Sequence, residues 1–357
     1  MTAQLTGPVE IVGTGLVGTS IALACRRAGL EVLLSDASQE HLRTATGLGA
    51  GRPREVQDSP ALVVVAVPPS RLGASVVAAL AEGDAVVTDV GSIKSLPLRE
   101  VLAETTSEAS ARYVGSHPMA GSERSGPLAA SATLFEGRPW AVVPHAGSAP
   151  EAVAAVRALA QVCRAVTVEL GPEEHDRAVA RISHLPHLAA VLVAGRLAGA
   201  APRDLSLSGQ GVRDVTRVAA SDPRLWEQIV TANSGAVLEV LGEVRDQLEV
   251  LIEAVASGEL ESLRQVLRQG VEGTRSIPGK HGGPARPTSS LYVAVPDHPG
   301  ELARLFADAG ASEVNIEDVR IDHDPGREVG LVELVVDQQR AGHLQRSLES
   351  RGWQTHR

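Results

Sequence analysis

A glycine-spaced turn set between a strand-like and a helix-like run constrains this chain more than any other feature. Residues 9–12 are Val-Glu-Ile-Val, Gly13-Thr14-Gly15-Leu16-Val17-Gly18 follows, and residues 19–28 read as a helix. In that context the spacing allows a tight turn, a close approach of a pyrophosphate to backbone N–H groups, and tight packing of helix on strand. Asp36 lies 18 residues beyond Gly18, at the end of the second strand-like run. A carboxylate there accepts hydrogen bonds from a ribose 2′-OH and repels a 2′-phosphate, which favours NAD over NADP. Gly13, Thr14, Gly15, Leu16, Val17, Gly18 and Asp36, with Val67 and Pro68 after a later strand, form the expected cofactor set.

The rest of the first half alternates β-branched runs with Ala/Leu-rich stretches. Strands are expected at 9–12, 31–35, 62–67, 85–89, 112–115, 140–144 and 165–170, in a parallel sheet covered by helices on both faces. From about residue 171 strand-like runs vanish. Helical periodicity dominates, most clearly over 224–257, where Asp222-Pro223 reads as an N-cap followed by a first-turn proline. The apolar width of that stretch suits burial of more than one face and pairing with a second copy. Residues 275–287 have linker composition. Beyond them the order strand–helix–strand–strand–helix, with room for a last strand near Trp353, describes a split βαβ, ferredoxin-like module. The expected architecture is therefore α/β: a Rossmann-type dinucleotide-binding domain over 1–170, an all-helical substrate and dimerisation domain over 171–274, a linker over 275–287, and a small C-terminal module over 288–357.

A formal net charge of −10 argues against a nucleic-acid or polybasic membrane surface. No membrane span, signal sequence or metal cluster is expected, and the setting is read as cytoplasmic. Aromatics are 2% of the chain, so Val, Leu, Ile and Ala must fill the cores. Cys25 and Cys163 read as buried free thiols, in helix-like and strand-like surroundings respectively.

Chemistry concentrates in four segments. Asp89-Val90-Gly91-Ser92-Ile93-Lys94 follows a strand, and Ser92 is either a helix cap or a substrate contact. Gly115-Ser116-His117-Pro118-Met119-Ala120-Gly121-Ser122-Glu123 puts a histidine just past a strand, on a loop facing the crevice beyond the carboxyl ends of the sheet. In Ser183-His184-Leu185-Pro186-His187 the two histidines share a side if the segment is helical, with Pro186 kinking it; His184 reads as a core residue. Arg213 and Arg217, one helical turn apart, can hold a carboxylate by charge-assisted bonds, with Asp214 orienting one of them.

These segments together resemble the prephenate dehydrogenase family, which includes arogenate and cyclohexadienyl dehydrogenases, over residues 9 to about 270. The C-terminal stretch, with Pro296-Asp297-His298-Pro299-Gly300-Glu301-Leu302 and Asn315-Ile316, resembles an ACT domain. The resemblance implies NAD-dependent oxidative decarboxylation of prephenate to 4-hydroxyphenylpyruvate, a step of tyrosine biosynthesis. It implies His117 as proton acceptor from the ring hydroxyl, Ser92 as its partner in polarising that hydroxyl, and Arg217 as carboxylate anchor. Ser122, His187 and Arg213 are implied around the substrate, and Glu123 and Asp214 in a charge network governing access. Ser122 stands where relatives often have threonine, and Arg213 where some have lysine. The resemblance also implies a homodimer and an aromatic amino-acid effector, tyrosine, at the ACT-like module, unless that module is purely structural. Three alternatives are weighed, of which the first and third stay open: an arogenate-preferring enzyme, a β-hydroxyacid dehydrogenase, and a non-catalytic NAD and amino-acid sensor. The second requires a catalytic lysine in the helical domain, and no lysine occurs between Lys94 and Lys280.

Overall fold

The computed structural model describes residues 5–121, 125–278, 287–323 and 329–357. The chain forms two units, residues 1–246 and 247–357.

In the first unit, β1 (Val9–Val12), β2 (Val32–Ser35), β3 (Arg52–Pro53), β4 (Leu62–Val65) and β5 (Val86–Asp89) form a five-stranded sheet in the order β3-β2-β1-β4-β5. All its pairings are parallel. The period of two sorts the strands onto two cores. Val9, Ile11, Leu62 and Val64 join the cluster that holds Ile21, Cys25 and Leu159, whereas Val63 and Val65 face Leu72, Val76 and Val101. Burial on both faces explains the unbroken apolar runs. Each such Val, Leu or Ile contributes roughly 1.5–3 kcal/mol by leaving water.

A second sheet of β6 (Gly115–Pro118), β7 (Pro139–Val143) and β8 (Val166–Glu169) departs from the all-parallel expectation, since β6 and β7 are antiparallel. The strand expected at 112–115 is displaced. Tyr113 and Val114 are buried and strand-like in composition, but Tyr113 makes only one bridge, to Val87. Ladder pairing starts at Gly115, so His117 sits within β6 opposite Ala141 rather than past a strand. β4 stops at Val65, two residues early, because Pro68 opens a short 3-10 turn over Pro69–Arg71. The two-residue β3 has no counterpart in the sequence reading. Cys163 closes the helix Pro150–Val162 rather than lying in a strand; both thiols are free and buried.

Helices follow β8. Pro172–Val179, a π-helical turn Ala180–His184 and Leu185–Leu197 run on from one another. By length and composition alone this run could cross a membrane, contrary to expectation, with a mean hydropathy of 1.3 over its most apolar window. Its beginning is a core helix, since His175 and Asp176 are buried and Asp176 bonds to the backbone of Lys94 and Ser95. Farther along, Val191, Leu192 and Val193 are exposed. The single helix expected over 224–257 is two, Pro223–Ala232 and Ser234–Ser257. Asp222 caps the first as expected, accepting from Arg224 N at 3.0 Å. The break falls at Asn233, whose side chain is drawn inward: Nδ2 donates to the Asp176 carbonyl at 2.8 Å and meets His184 Nδ1 at 3.3 Å.

In the second unit β9 (Thr288–Pro296), β10 (Ile316–His323), β11 (Val329–Asp337) and β12 (Gln354–His356) form an antiparallel sheet in the order β10-β11-β9-β12. Helices Glu301–Gly310 and Ala341–Ser350 supply Leu305, Leu344 and Leu348 to its core. This is the split βαβ order expected from the sequence. Arg304 stacks 4.1 Å above Trp353, whose Nε1 donates to Asp308 at 2.8 Å. Most of the expected linker, residues 279–286, lies outside the described residues.

Candidate active site

The glycine turn after β1 has the backbone a dinucleotide requires. Gly13 adopts φ +100°, and a Cβ there would fall on the Ala66 carbonyl. A Cβ on Gly18 would fall on the Gly13 carbonyl, so both positions admit only glycine. A Cβ on Gly15 would meet nothing within 4 Å, which leaves the start of helix Leu16–Arg27 open to an anionic group. Asp36, after β2, closes the far side. Its Oδ2 accepts from Thr14 N at 2.6 Å and Thr14 Oγ1 at 2.8 Å, and its Oδ1 from Ser38 N at 2.7 Å. Burial pushes this carboxyl up, but the N–H bonds from Thr14 and Ser38 outweigh it, and Asp36 ends below its ordinary range. The residues present therefore fit NAD, with a cradle for the pyrophosphate and an ionised carboxylate at the ribose position. Val67 and Pro68 follow β4, and the Val67 side chain lies beside Gly13.

His117 is partly open, in β6. Its Nδ1 lies 3.0 Å from His175 Nε2, and the rings meet edge to face. His175 Nδ1 lies 2.9 Å from Asp176 Oδ1. Asp176 also receives Lys94 N on Oδ1 and Ser95 N on Oδ2, each at 2.8 Å. It thus caps the helix Ser95–Glu104 from a distant part of the chain. The Lys94 ammonium pairs with Asp89, which also accepts from Tyr113 OH at 2.8 Å and Gly91 N at 2.8 Å. Burial pushes His117 well below the usual histidine range, and the electrostatic influence of His175 and Lys94 adds to this. Ser92 stands three residues ahead of Ser95, where that helix begins, so the capping alternative is corrected: Asp176 does that work.

The other half of the site lies on the helices after β8. His184 is buried as expected of a core residue, edge-on to Trp226 with centroids 6.0 Å apart. His187 is stacked on Trp226 at 3.5 Å with 2° between the rings. Its helix, Leu185–Leu197, packs against the 3-10 turn that carries Arg217. Arg213 and Arg217 do not share one regular helix: Gln210–Thr216 ends before Arg217, which opens a 3-10 turn, Arg217–Ala220. Asp214 accepts from Gln210 Nε2 at 2.9 Å rather than from an arginine. Both arginines are exposed, and among the described residues neither is paired with a carboxylate. Ser122 and Glu123 lie outside the described residues. Among the described residues no group of His, Cys, Asp and Glu is placed to hold a metal.

The structure thus joins His117 to Lys94 and the helical segment, and sets His187 against the Arg217 turn. Gln228 Oε1 accepts from Ser70 N at 3.4 Å, which places helix Pro223–Ala232 beside the loop after β4. Sequence reasoning missed His175, Asp176 and Asn233. The signal for the first two was present: an adjacent His-Asp pair in the second turn of an acidic helix opened by Gly171-Pro172.

Known proteins resemble this chain in sequence and fold. Residues 21–169 match the family model "Prephenate dehydrogenase, nucleotide-binding domain" and residues 171–269 match "Prephenate dehydrogenase, dimerization domain". The probable prephenate dehydrogenase NovF of Streptomyces niveus is 35% identical over 96% of this chain and 98% of its own. A crystal structure of prephenate dehydrogenase from A. aeolicus with hydroxyphenyl propionate and NAD⁺ superposes with a TM-score of 0.69. It is 27% identical and matches over 76% of this chain and 99% of its own. The arogenate dehydrogenase of Synechocystis superposes with a TM-score of 0.64 at 26% identity, over 75% of this chain and 98% of its own. An NAD-type glycine cradle, a His117–His175–Asp176 line and relatives matched over almost their full length agree: the chain belongs to the prephenate dehydrogenase family.

Proposed function

We propose that this chain oxidises and decarboxylates prephenate to 4-hydroxyphenylpyruvate with NAD⁺, His117 taking the proton of the ring hydroxyl. The observation that carries the reading is His117 itself, a histidine held neutral by burial and anchored through Nδ1 to His175. Bound NAD⁺ supplies the acceptor for the hydride leaving the hydroxyl-bearing carbon. His117 accepts the hydroxyl proton as carbonyl character develops, and Ser92 donates to the same oxygen. Arg217 and Arg213 hold the substrate's carboxylates. The electron pair left by departing carbon dioxide makes the ring aromatic, and the resulting phenolate oxygen takes the proton back from His117. From the sequence motif we carry over to Ser122 a substrate contact, and to Glu123 and Asp214 a charge network governing access.

Two unpaired guanidiniums suit the doubly anionic prephenate better than arogenate, which carries an ammonium. The arogenate dehydrogenase among the superposed structures keeps that substrate as the second reading. NADH formation measured with each substrate decides between them. A higher kcat/KM on prephenate is expected; a preference for arogenate reverses the assignment, and no turnover of either removes the enzyme reading. Arg217→Leu is expected to raise KM for prephenate about 10–100-fold, the loss of a charge-assisted bond worth roughly 1.5–3 kcal/mol. KM for NAD⁺ should stay near wild type; an unchanged prephenate KM removes Arg217 from the substrate site.

The domain division we infer is 1–170, 171–274, 275–287 and 288–357. Exposed Leu192, Val193 and Leu238 on the helices support a homodimer. The split βαβ order of the second unit supports an ACT-type module that receives tyrosine, Gly300 opening a helix whose free N–H groups suit a carboxylate. Tyrosine added to the same assay tests this, and rates insensitive to it favour a structural module. A soluble substrate and NAD⁺ suit the cytoplasm.

A further inference from the structure

The line His117–His175–Asp176 has a direction that follows from its hydrogen bonds together with a neutral His175 ring. Asp176 receives two backbone N–H groups, from Lys94 and Ser95, so its oxygens face donors only. Burial raises its carboxyl, but the bonds from His175, Ser95 and Lys94 lower it further, and it remains ionised. An ionised carboxylate accepts and never donates. The His175 nitrogen facing it, Nδ1, must therefore carry the hydrogen. Burial keeps the His175 ring neutral against the pull of Asp176, so its other nitrogen, Nε2, holds a lone pair. That lone pair lies 3.0 Å from His117 Nδ1, which must then donate to it. A neutral imidazole has one N–H, so the lone pair of His117 falls on Nε2.

We propose that His175 and Asp176 are positioning residues that lock His117 in its Nδ1–H tautomer and so leave Nε2 as the proton acceptor. This rests on the reading of His117 as the base. The substrate hydroxyl proton moves to Nε2, Nδ1 keeps its own hydrogen, and the resulting imidazolium still donates to His175. His175 in turn donates to Asp176, so the new charge is met by an ionised carboxylate one ring away. The Lys94 ammonium, which disfavours that charge, is neutralised by Asp89. His184, the remaining titratable neighbour, is neutral near pH 7 because burial pushes it down to about 4. The arrangement also links the two halves of the site. His117 comes from the second sheet, His175 and Asp176 from the first helix of the helical segment, and Asp176 grips the helix start beside Lys94.

The first test needs no turnover, and a variant only to assign the signal. Nitrogen-15 spectra of the ring nitrogens in the intact protein, with His117 assigned by its loss in His117→Asn, should show the Nδ1–H form above 90%. A dominant Nε2–H form overturns the proposal, whatever substrate the enzyme takes. The second test uses two substitutions. His175→Gln keeps an amide oxygen to accept from His117 and an N–H to donate to Asp176, whereas His175→Leu keeps neither. His175→Leu is expected to lower kcat roughly 10–100-fold, the usual loss when a partner orienting a functional histidine is removed, with KM for NAD⁺ unchanged and the acid limb of the kcat–pH profile displaced. His175→Gln should recover most of kcat. A Leu variant that binds NAD⁺ and keeps both wild-type kcat and the wild-type pH profile overturns the positioning role.

Discussion

Replacing His117 by Asn lowers kcat for prephenate by about 10²–10⁴-fold, the range general-base catalysis supplies, and leaves NAD⁺ affinity near wild type. An Asn side chain can still hydrogen-bond a ring hydroxyl, so substrate binding survives better than turnover. It cannot take up a proton, so the step in which the hydroxyl becomes carbonyl-like loses its acceptor. The cofactor cradle is made of other parts, the Gly13–Gly18 turn and Asp36, and none of the hydrogen bonds that shape it involves His117. The measurement is steady-state NADH formation together with NAD⁺ titration of the same preparation. A variant that binds NAD⁺ and turns over within fivefold of wild type would show that the proton leaves by another route. A variant that loses both binding and turnover would point instead to a structural role for β6.

The dinucleotide half was readable because its signals are local. Gly13 and Gly18 are dictated by backbone conformation and by carbonyls that leave no room for a Cβ, and the β-branched runs by burial on both faces of one sheet. The segment around His117 was misread in its geometry. Tyr113 and Val114 carry the apolar pattern of a strand because they are buried, yet their pairing is a single bridge. The real strand, Gly-Ser-His-Pro, has no such pattern and is specified by its partner β7, 21 or more residues later. His175 and Asp176 escaped for the related reason that their role exists only after folding. Their partners are 58 residues away at His117 and 82 at Lys94, and neither spacing is periodic. Asn233 is similar: helical periodicity runs through 224–257 without interruption, and the break is set by a hydrogen bond to Asp176 that no local propensity records. Arg213 and Arg217 were expected one turn apart on a single helix, with Asp214 orienting one of them. They divide between a helix and a 3-10 turn, and that turn packs against the distant helix of His187.

The site's buried histidines carry a stability consequence as large as many core mutations. His184 is held against Asn233 and Trp226, and burial lowers its pKa to about 4 from an unfolded value near 6.5; the electrostatic effect of His175 and His187 reinforces this, while Asp176 opposes it. Between those two values the unfolded chain binds a proton that the folded one refuses. Stability therefore rises with pH across this window. The contribution is fully present above about pH 6.5 and is lost as pH falls towards 4, by about 2 kcal/mol at pH 5 and about 3 kcal/mol once the folded pKa is reached. His117 and His175 shift in the same direction and deepen the loss. Buried Glu10 opposes it, because burial raises its carboxyl and the folded state there favours the proton. Asp36 and Asp176, whose carboxyls are lowered, add their own loss only below the ordinary carboxylate range. Urea unfolding at pH 7 and pH 5 should show the wild type weakened at the lower pH, and His184→Gln weakened by about 2 kcal/mol less. Glutamine keeps a polar group for Asn233 without a titrating nitrogen. It should begin less stable at neutral pH, since it loses the edge-to-face contact with Trp226, and approach the wild type as the medium is acidified. Equal losses in the two proteins would mean that the acid sensitivity lies elsewhere and that His184 ionises in the folded state as readily as in the unfolded one.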